Sequence, residues 1–185
     1  RLDLVATDRI VDPRQEGVDV AFRLGWLRGA ESGLVARRLG GLEGVLCASP
    51  AYLASAGGAP GSAAELARHA WIGYAGFGGA KQTLTLRDRA GRRHEVTLGC
   101  RVRTTSALQT KAWALAGLGV TRLPRLVVEP EFASGRLVRV LADHSFDGPS
   151  IFALYPRDRY RPARVRALLS LLRPQPDRSR VRPSD

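Results

Sequence analysis

Short apolar runs recur along this chain, and helix-start signals fall between them. Strands that alternate with helices bury their apolar faces only in layered α/β structure. All-helical bundles and all-β sandwiches are thereby set aside. The expectation is an α/β protein with mainly parallel strands.

Leu2–Thr7 alternates as a strand does, and Asp12 with Pro13 and Gly17 frames a short helix. Val18–Arg23, Gly33–Leu39 and Gly41–Ser49 read as extended, and Pro50 opens a helix that Gly57-Gly58 ends. Ser62-Ala-Ala-Glu65 and Ser106-Ala-Leu-Gln109 are capping boxes, starting helices to Arg68 and over Ala107–Ala116. Between them lie a strand at Trp71–Tyr74, a hairpin of Gln82–Arg87 with Arg93–Leu98 around Asp88–Gly91, and a strand at Cys100–Arg103. Val120–Leu123, Leu137–Leu141 and Ile151–Tyr155 are further strands, with helices from Pro124 to Ala133 and over Ala163–Leu172. Breaks near Ser49-Pro50 and Ala142–Pro149 bracket a middle section, which predicts two lobes joined by two crossovers. Residues 1–48 and 143–172 form the first lobe in this reading, and 49–142 the second.

The formal charge of +12 raises nucleic acid as a partner, so its distribution matters. Half of the excess lies from Arg157 onward, and 173–185 reads as a disordered basic tail. The other arginines are scattered, without the clustered basic face that nucleic-acid binding shows. No apolar run approaches the roughly 20 residues of a membrane span, and two cysteines form no disulfide framework. A cytoplasmic protein is expected.

No catalytic constellation is visible, so an enzyme is not expected. His69, His94 and His144 are far apart in sequence and read as surface residues without metal-ligand spacing. Cys47, in an apolar strand, reads as a buried thiol. Cys100, beside Arg101, is a thiol whose pKa could be lowered, with no general base near it in sequence. Neither a cofactor nor a metal is implied.

Polar strand-ends suggest a ligand instead. Thr104-Thr105-Ser106 joins a strand to a helix, where free N–H groups and hydroxyls suit a small anion. Plain capping by Ser106 is the competing account of the same residues. Thr7-Asp8 and Arg23-Leu24-Gly25 have the same strand-end character, and α/β ligands sit at the carboxyl ends of strands. Together they predict a ligand cleft between lobes.

The ordered pieces Glu16–Gly25, Leu34–Gly40, Val45–Leu53, Ala114–Val120 with Leu123-Pro124, and Ala133–Val138 resemble the effector-binding domain of LysR-type transcriptional regulators. The resemblance implies a two-lobed fold like type 2 periplasmic binding proteins. It further implies a small effector between the lobes, a homodimer or tetramer, and DNA contact only through a preceding winged helix-turn-helix. The chain opens on Arg1 and an immediate strand, so a fragment lacking that reader and the first strand and helix of lobe one is expected. Positions carried over as effector-binding are Thr7, Asp8, Arg23, Gly25, Ser49, Tyr74, Thr105, Ser106, Gly119 and Thr121. Arg122 precedes Leu123-Pro124 where relatives have a small or apolar residue. It is expected at the surface, while an inward Arg122 favours an acidic effector such as a carboxylate. A solute-binding protein of a transport system is the alternative on the same fold.

Overall fold

A computed structural model describes residues 2–7, 9–25, 33–146, 148–157 and 162–172. Asp8, Asp147 and the expected tail at 173–185 lie outside the described residues. Two compact units are present, one within Arg1–Gly41 and Pro149–Arg178, the other built on Leu42–Gly148.

The first unit begins with α1 (Pro13–Glu16), whose ends follow the sequence signals. Asp12 accepts the Arg14 N–H at 3.0 Å, and Gly17 closes the turn at φ 65°. β1 (Ala21–Gly25) and β2 (Leu34–Gly41) then flank β9 (Ser150–Pro156) in an antiparallel three-stranded sheet. α6 (Ala163–Leu171) packs Val165 and Leu169 with Leu39, Ala153 and Tyr155. Arg37 donates to the Leu169 and Leu172 carbonyls at 2.8 and 3.1 Å, capping the end of α6 with positive charge.

Leu2–Thr7 is not a strand. It has no ladder partners, and Leu2, Leu4 and Val5 are each more than 70% exposed. Alternation makes a strand only where a neighbour accepts its hydrogen bonds, and among the described residues none does.

The second unit holds a six-stranded sheet in the order β5-β6-β4-β7-β3-β8. Its strands are β3 (Gly44–Ala48), β4 (Trp71–Tyr74), β5 (Lys81–Arg87), β6 (Arg93–Thr104), β7 (Val120–Pro124) and β8 (Val138–Val140). Only β4 runs parallel to its neighbours, β6 and β7; the other pairings are antiparallel. The expectation of mainly parallel strands is therefore corrected. Hairpin β5–β6 reverses after a short turn, and β3 reaches β7 only after three intervening strands, so chain order did not reveal direction. The strands expected at Arg93–Leu98 and Cys100–Arg103 are one continuous β6, because Gly99 lies in the ladder opposite Lys81.

β3 is buried along its whole length. Period-two alternation sends Leu46 to a core shared with Tyr52, Leu66, Trp71 and Phe146, beneath α2 (Pro50–Ser55) and α3 (Ala63–Leu66). Val45 and Cys47 enter the opposite core with Ile72, Ala114 and Val128, beneath α4 (Ala107–Leu115) and α5 (Arg125–Ala133). Because β3 ladders onto β7 and β8, the first boundary falls at 41/42 rather than 48/49. Ser145 exchanges backbone bonds with Arg87 at 2.7 and 2.8 Å, which keeps 143–148 in the second unit as well.

Candidate functional site: polar ends of the parallel strands

Because β4 and β6 are parallel, their carboxyl ends lie side by side, with Tyr74 opposite Thr104. Three hydroxyl residues follow or end β6: Thr104, Thr105 and Ser106. The Thr104 hydroxyl accepts the Ser106 N–H at 3.1 Å, and the Ser106 hydroxyl accepts the Gln109 N–H at 3.4 Å. Capping thus engages Thr104 and Ser106, and the reciprocal partner is Thr104 rather than the expected Gln109. Thr105 is exposed and takes no part in the cap. This is the residue of the trio left to face a solute.

Gln82 stiffens the strand end from behind. Its side-chain N–H donates to the Tyr74 carbonyl at 2.8 Å, and its oxygen accepts the Trp71 indole N–H at 3.0 Å. Sequence reasoning missed Gln82, although it shares phase with the buried Leu84 and Leu86 and so marks an inward polar group. The turn after β4 places the Phe77 ring edge-on to Tyr74, with centroids 5.2 Å apart.

Arg122 is not at the surface. Its guanidinium stacks on Phe77, and burial pulls its pKa down to about 10, so it stays charged at neutral pH. The register puts it on the same face of β7 as Val120, toward the core that holds Phe146. Sequence alone lacked this because Phe77 and Phe146 approach Arg122 only through tertiary folding.

The other expected site residues serve varied roles. Thr121 is completely buried, and its hydroxyl donates to the Ile72 carbonyl at 2.9 Å, fastening β7 to β4. The hydroxyl proton of Thr121 is thus engaged within the sheet. Gly119 adopts φ 156°, and a Cβ there would run into the Ala70 carbonyl. Ser49 is buried and caps α2 through the Tyr52 N–H at 3.3 Å. In the first unit, Thr7 is exposed and accepts the Arg9 N–H at 3.3 Å. Arg23 and Gly25 end β1, opposite Phe152 and Ser150 of β9, and Asp8 is outside the described residues. A cavity of about 220 Å³ in that unit is lined by Pro13, Arg14, Asp19 and Tyr155, none of them an expected site residue.

The histidines are not simple surface residues. His69 meets the Tyr52 hydroxyl at 3.2 Å, His94 meets Asp88 at 3.0 Å, and His144 meets Asp143 at 2.8 Å. The His94 and His144 rings lie 6.1 Å apart, brought together by the Arg87–Ser145 bridge. Among the described residues no group of three or more His, Cys, Asp or Glu side chains could hold a metal. Burial pushes the Cys47 thiol up to about 12, with Glu131 adding to the rise. Burial also raises Cys100, against the pull of Arg103, so the lowered thiol pKa imagined from Arg101 is corrected. Neither thiol is an activated nucleophile.

Comparison with known proteins places these features in a family. Residues 1–177 match the LysR substrate binding domain. The chain is 37% identical over 175 residues to the HTH-type transcriptional regulator PtxR of Pseudomonas aeruginosa, covering 94% of this chain and 54% of PtxR. Among solved structures, CrgA of Neisseria meningitidis matches with TM-score 0.72 and 31% identity, over 93% of this chain and 57% of that one. The full-length Vibrio cholerae virulence activator AphB matches with TM-score 0.71 and 28% identity, over 92% and 56%. The chain spans about half the length of the curated relatives it matches.

Proposed function

The chain belongs to the LysR substrate-binding domain family, and on that basis we propose that it is the ligand-sensing part of a longer DNA-binding transcriptional regulator. The observation that carries this reading is a family match over residues 1–177, in relatives named as transcriptional regulators. The solute-binding alternative finds no support among those relatives. No helix of the described residues is long and apolar enough to cross a membrane. As part of the same proposal, the intact regulator works in the cytoplasm as a homodimer or larger assembly.

The effector in this proposal is a small organic acid held at the strand ends of the second unit, with Thr105 contacting it directly and Tyr74 beside it. Ser106 contributes the positive end of α4, and Arg122 contributes a nearby fixed cation. Thr7, Asp8, Arg23 and Gly25 of the first unit, and Ser49 ahead of α2 in the second, are further effector-binding positions proposed from the family resemblance. An effector acts by binding one conformational state of the regulator better than another, and its differential affinity sets the size of the response. Gly119 serves by shaping the backbone ahead of β7. The proposed response needs binding alone, in keeping with relatives named as transcriptional regulators.

A thermal-shift screen of small organic acids tests the reading. An acid that raises Tm in the parent chain and raises it much less in Thr105→Ala supports it. Equal stabilisation of both rejects the strand-end site, and no stabilisation by any acid rejects the ligand class.

A further inference from the structure

The outward face of the β5–β6 hairpin has no role in the site above. Inward positions Gln82, Leu84, Leu86, Val96 and Leu98 are buried, so the alternate positions share the outer face. That face carries Lys81, Arg87, Arg93 and Arg101, against the single acid Glu95. Beyond Arg101 a register shift turns β6 over, so that Val102 packs in the core with Ile72 and Arg103 pairs with Gly73 on the Cys100 side. Arginines that look scattered along the sequence are thus gathered by the period of two. Arg87 sits directly opposite Arg93, a like-charge pair that is unfavourable unless an anion lies between.

Several charges elsewhere in this unit are matched. Asp88 holds Arg92 at 2.8 Å, Glu129 holds Arg125 at 2.7 Å, and Glu131 holds Lys111 at 3.2 Å. On the hairpin face, among the described residues, Lys81, Arg93 and Arg101 have no carboxylate partner. Thr83 and Thr97 bond each other at 3.2 Å in the middle, and no apolar side chain interrupts the surface. Arg101 is eight residue steps along β6 from Arg93, about 27 Å of strand at roughly 3.4 Å per step. One small anion cannot meet both ends.

We propose that this face docks the phosphate backbone of duplex DNA. A rigid duplex presents charge over a turn of about 34 Å without being ordered first, whereas an acidic peptide must lose chain entropy to match it. The polar, positive and non-apolar character is that of a DNA interface rather than a protein one. The inference rests on the reading of the chain as part of a DNA-binding regulator. It departs from the expectation that DNA is met only through a helix-turn-helix.

The test is fluorescence anisotropy of the 185-residue chain with a duplex of arbitrary sequence across a salt series, with no effector present. Lys81→Gln, Arg93→Gln and Arg101→Gln together should lower affinity at least tenfold at low salt. They should reduce the slope of log K against log salt by about 2 to 3, given about 0.9 per phosphate contact. Arg68→Gln, Arg136→Gln and Arg166→Gln together remove equal charge away from this face and should change the slope by less than about 1. Arg93→Lys with Arg101→Lys should keep the parent slope, and circular dichroism checks that every variant folds. Equal losses in the two triple variants overturn the proposal in favour of net charge alone. Loss of binding in the lysine variant overturns it too, and so does polyglutamate competing as well as duplex, which points to an acidic protein segment. The organic-acid screen uses a different ligand and readout, so each reading can fail while the other stands.

Discussion

The guanidinium of Arg122 lies 3.8 Å from the ring centroid of Phe77, with the Phe146 ring centroid 5.6 Å away. A cation over an aromatic face gains from the ring quadrupole, more so when water is excluded. The contact ties the turn after β4 to the middle of β7, and so fixes the neighbourhood of Tyr74. Phe77 is followed by Gly78 at φ 142°, a conformation that lets the turn fold back without a side chain in the way.

A double-mutant cycle with Arg122→Met and Phe77→Leu should give a coupling of about 1 kcal/mol in urea denaturation. Arg122→Lys should recover only part of it, because the planar guanidinium stacks on a ring as an ammonium does not. Additive effects within error would show that the stacking carries no energy.

Gly119→Ala should destabilise the chain by more than about 1 kcal/mol. Two reasons act together: φ 156° disfavours a side chain, and the Cβ meets the Ala70 carbonyl. That carbonyl already accepts the Val120 N–H at 2.8 Å, so moving it breaks the start of the β4–β7 pairing. Gly57→Ala is the useful comparison, since its φ of 84° is equally unsuitable but no atom lies within 4 Å of a Cβ there. Gly119→Ala should show the lower denaturation midpoint of the two.

Local signals were legible because caps and turns depend on few neighbours. Asp12, Ser62 and Ser106 each accept a backbone N–H at the helix start that the sequence indicated. Even so, the Glu65 carboxylate reaches the Gly61 N–H at 2.8 Å rather than that of Ser62. Direction of strand pairing was not legible, because β3 and β7 meet across more than seventy residues. The site divides the same way. Ser106 capping follows from one four-residue stretch, Ser106 to Gln109, while the inward position of Arg122 and the engaged hydroxyl of Thr121 depend on Phe77 and Ile72.

Acid should weaken the hairpin turn through Asp88. A hydrogen bond from His94, followed by the backbone and side chain of Arg92, holds its carboxyl well below the usual range, against the effect of desolvation. A carboxylate with a lowered folded-state pKa stabilises the fold above the ordinary value near 4, and that contribution is lost as pH falls below it. Tm measured against pH should therefore fall less steeply on acidification in Asp88→Asn than in the parent. Parallel curves would show that Asp88 is not a linked group.

Lys111→Met alone should cost more stability than Lys111→Met combined with Glu131→Leu. Glu131 is buried, and burial by itself would raise its carboxyl. Lys111 at 3.2 Å, its own backbone N–H and Arg136 hold it below the usual range instead. Removing the lysine leaves a buried carboxylate with weaker compensation, whereas removing both partners leaves an apolar contact. Urea midpoints of the parent, single and double variants decide the order. A double variant weaker than the single would refute this account.

Thr105 and Ser106 can be told apart because only one belongs to the helix cap. The Ser106 hydroxyl satisfies a backbone N–H that otherwise has no partner within α4. Ser106→Ala should therefore lower stability by about 1 kcal/mol with no ligand present. Thr105 is exposed and outside the cap, so Thr105→Ala should change ligand-free stability by less than about 0.5 kcal/mol, as surface substitutions do. Addition of a stabilising acid at about a hundred times its dissociation constant should add about 2.7 kcal/mol to the parent. Thr105→Ala should gain clearly less at the same concentration, while Ser106→Ala, already weaker without ligand, should recover part of its loss. A ligand gain that is unchanged in Thr105→Ala but absent in Ser106→Ala would move the contact from the exposed hydroxyl to the capped helix end.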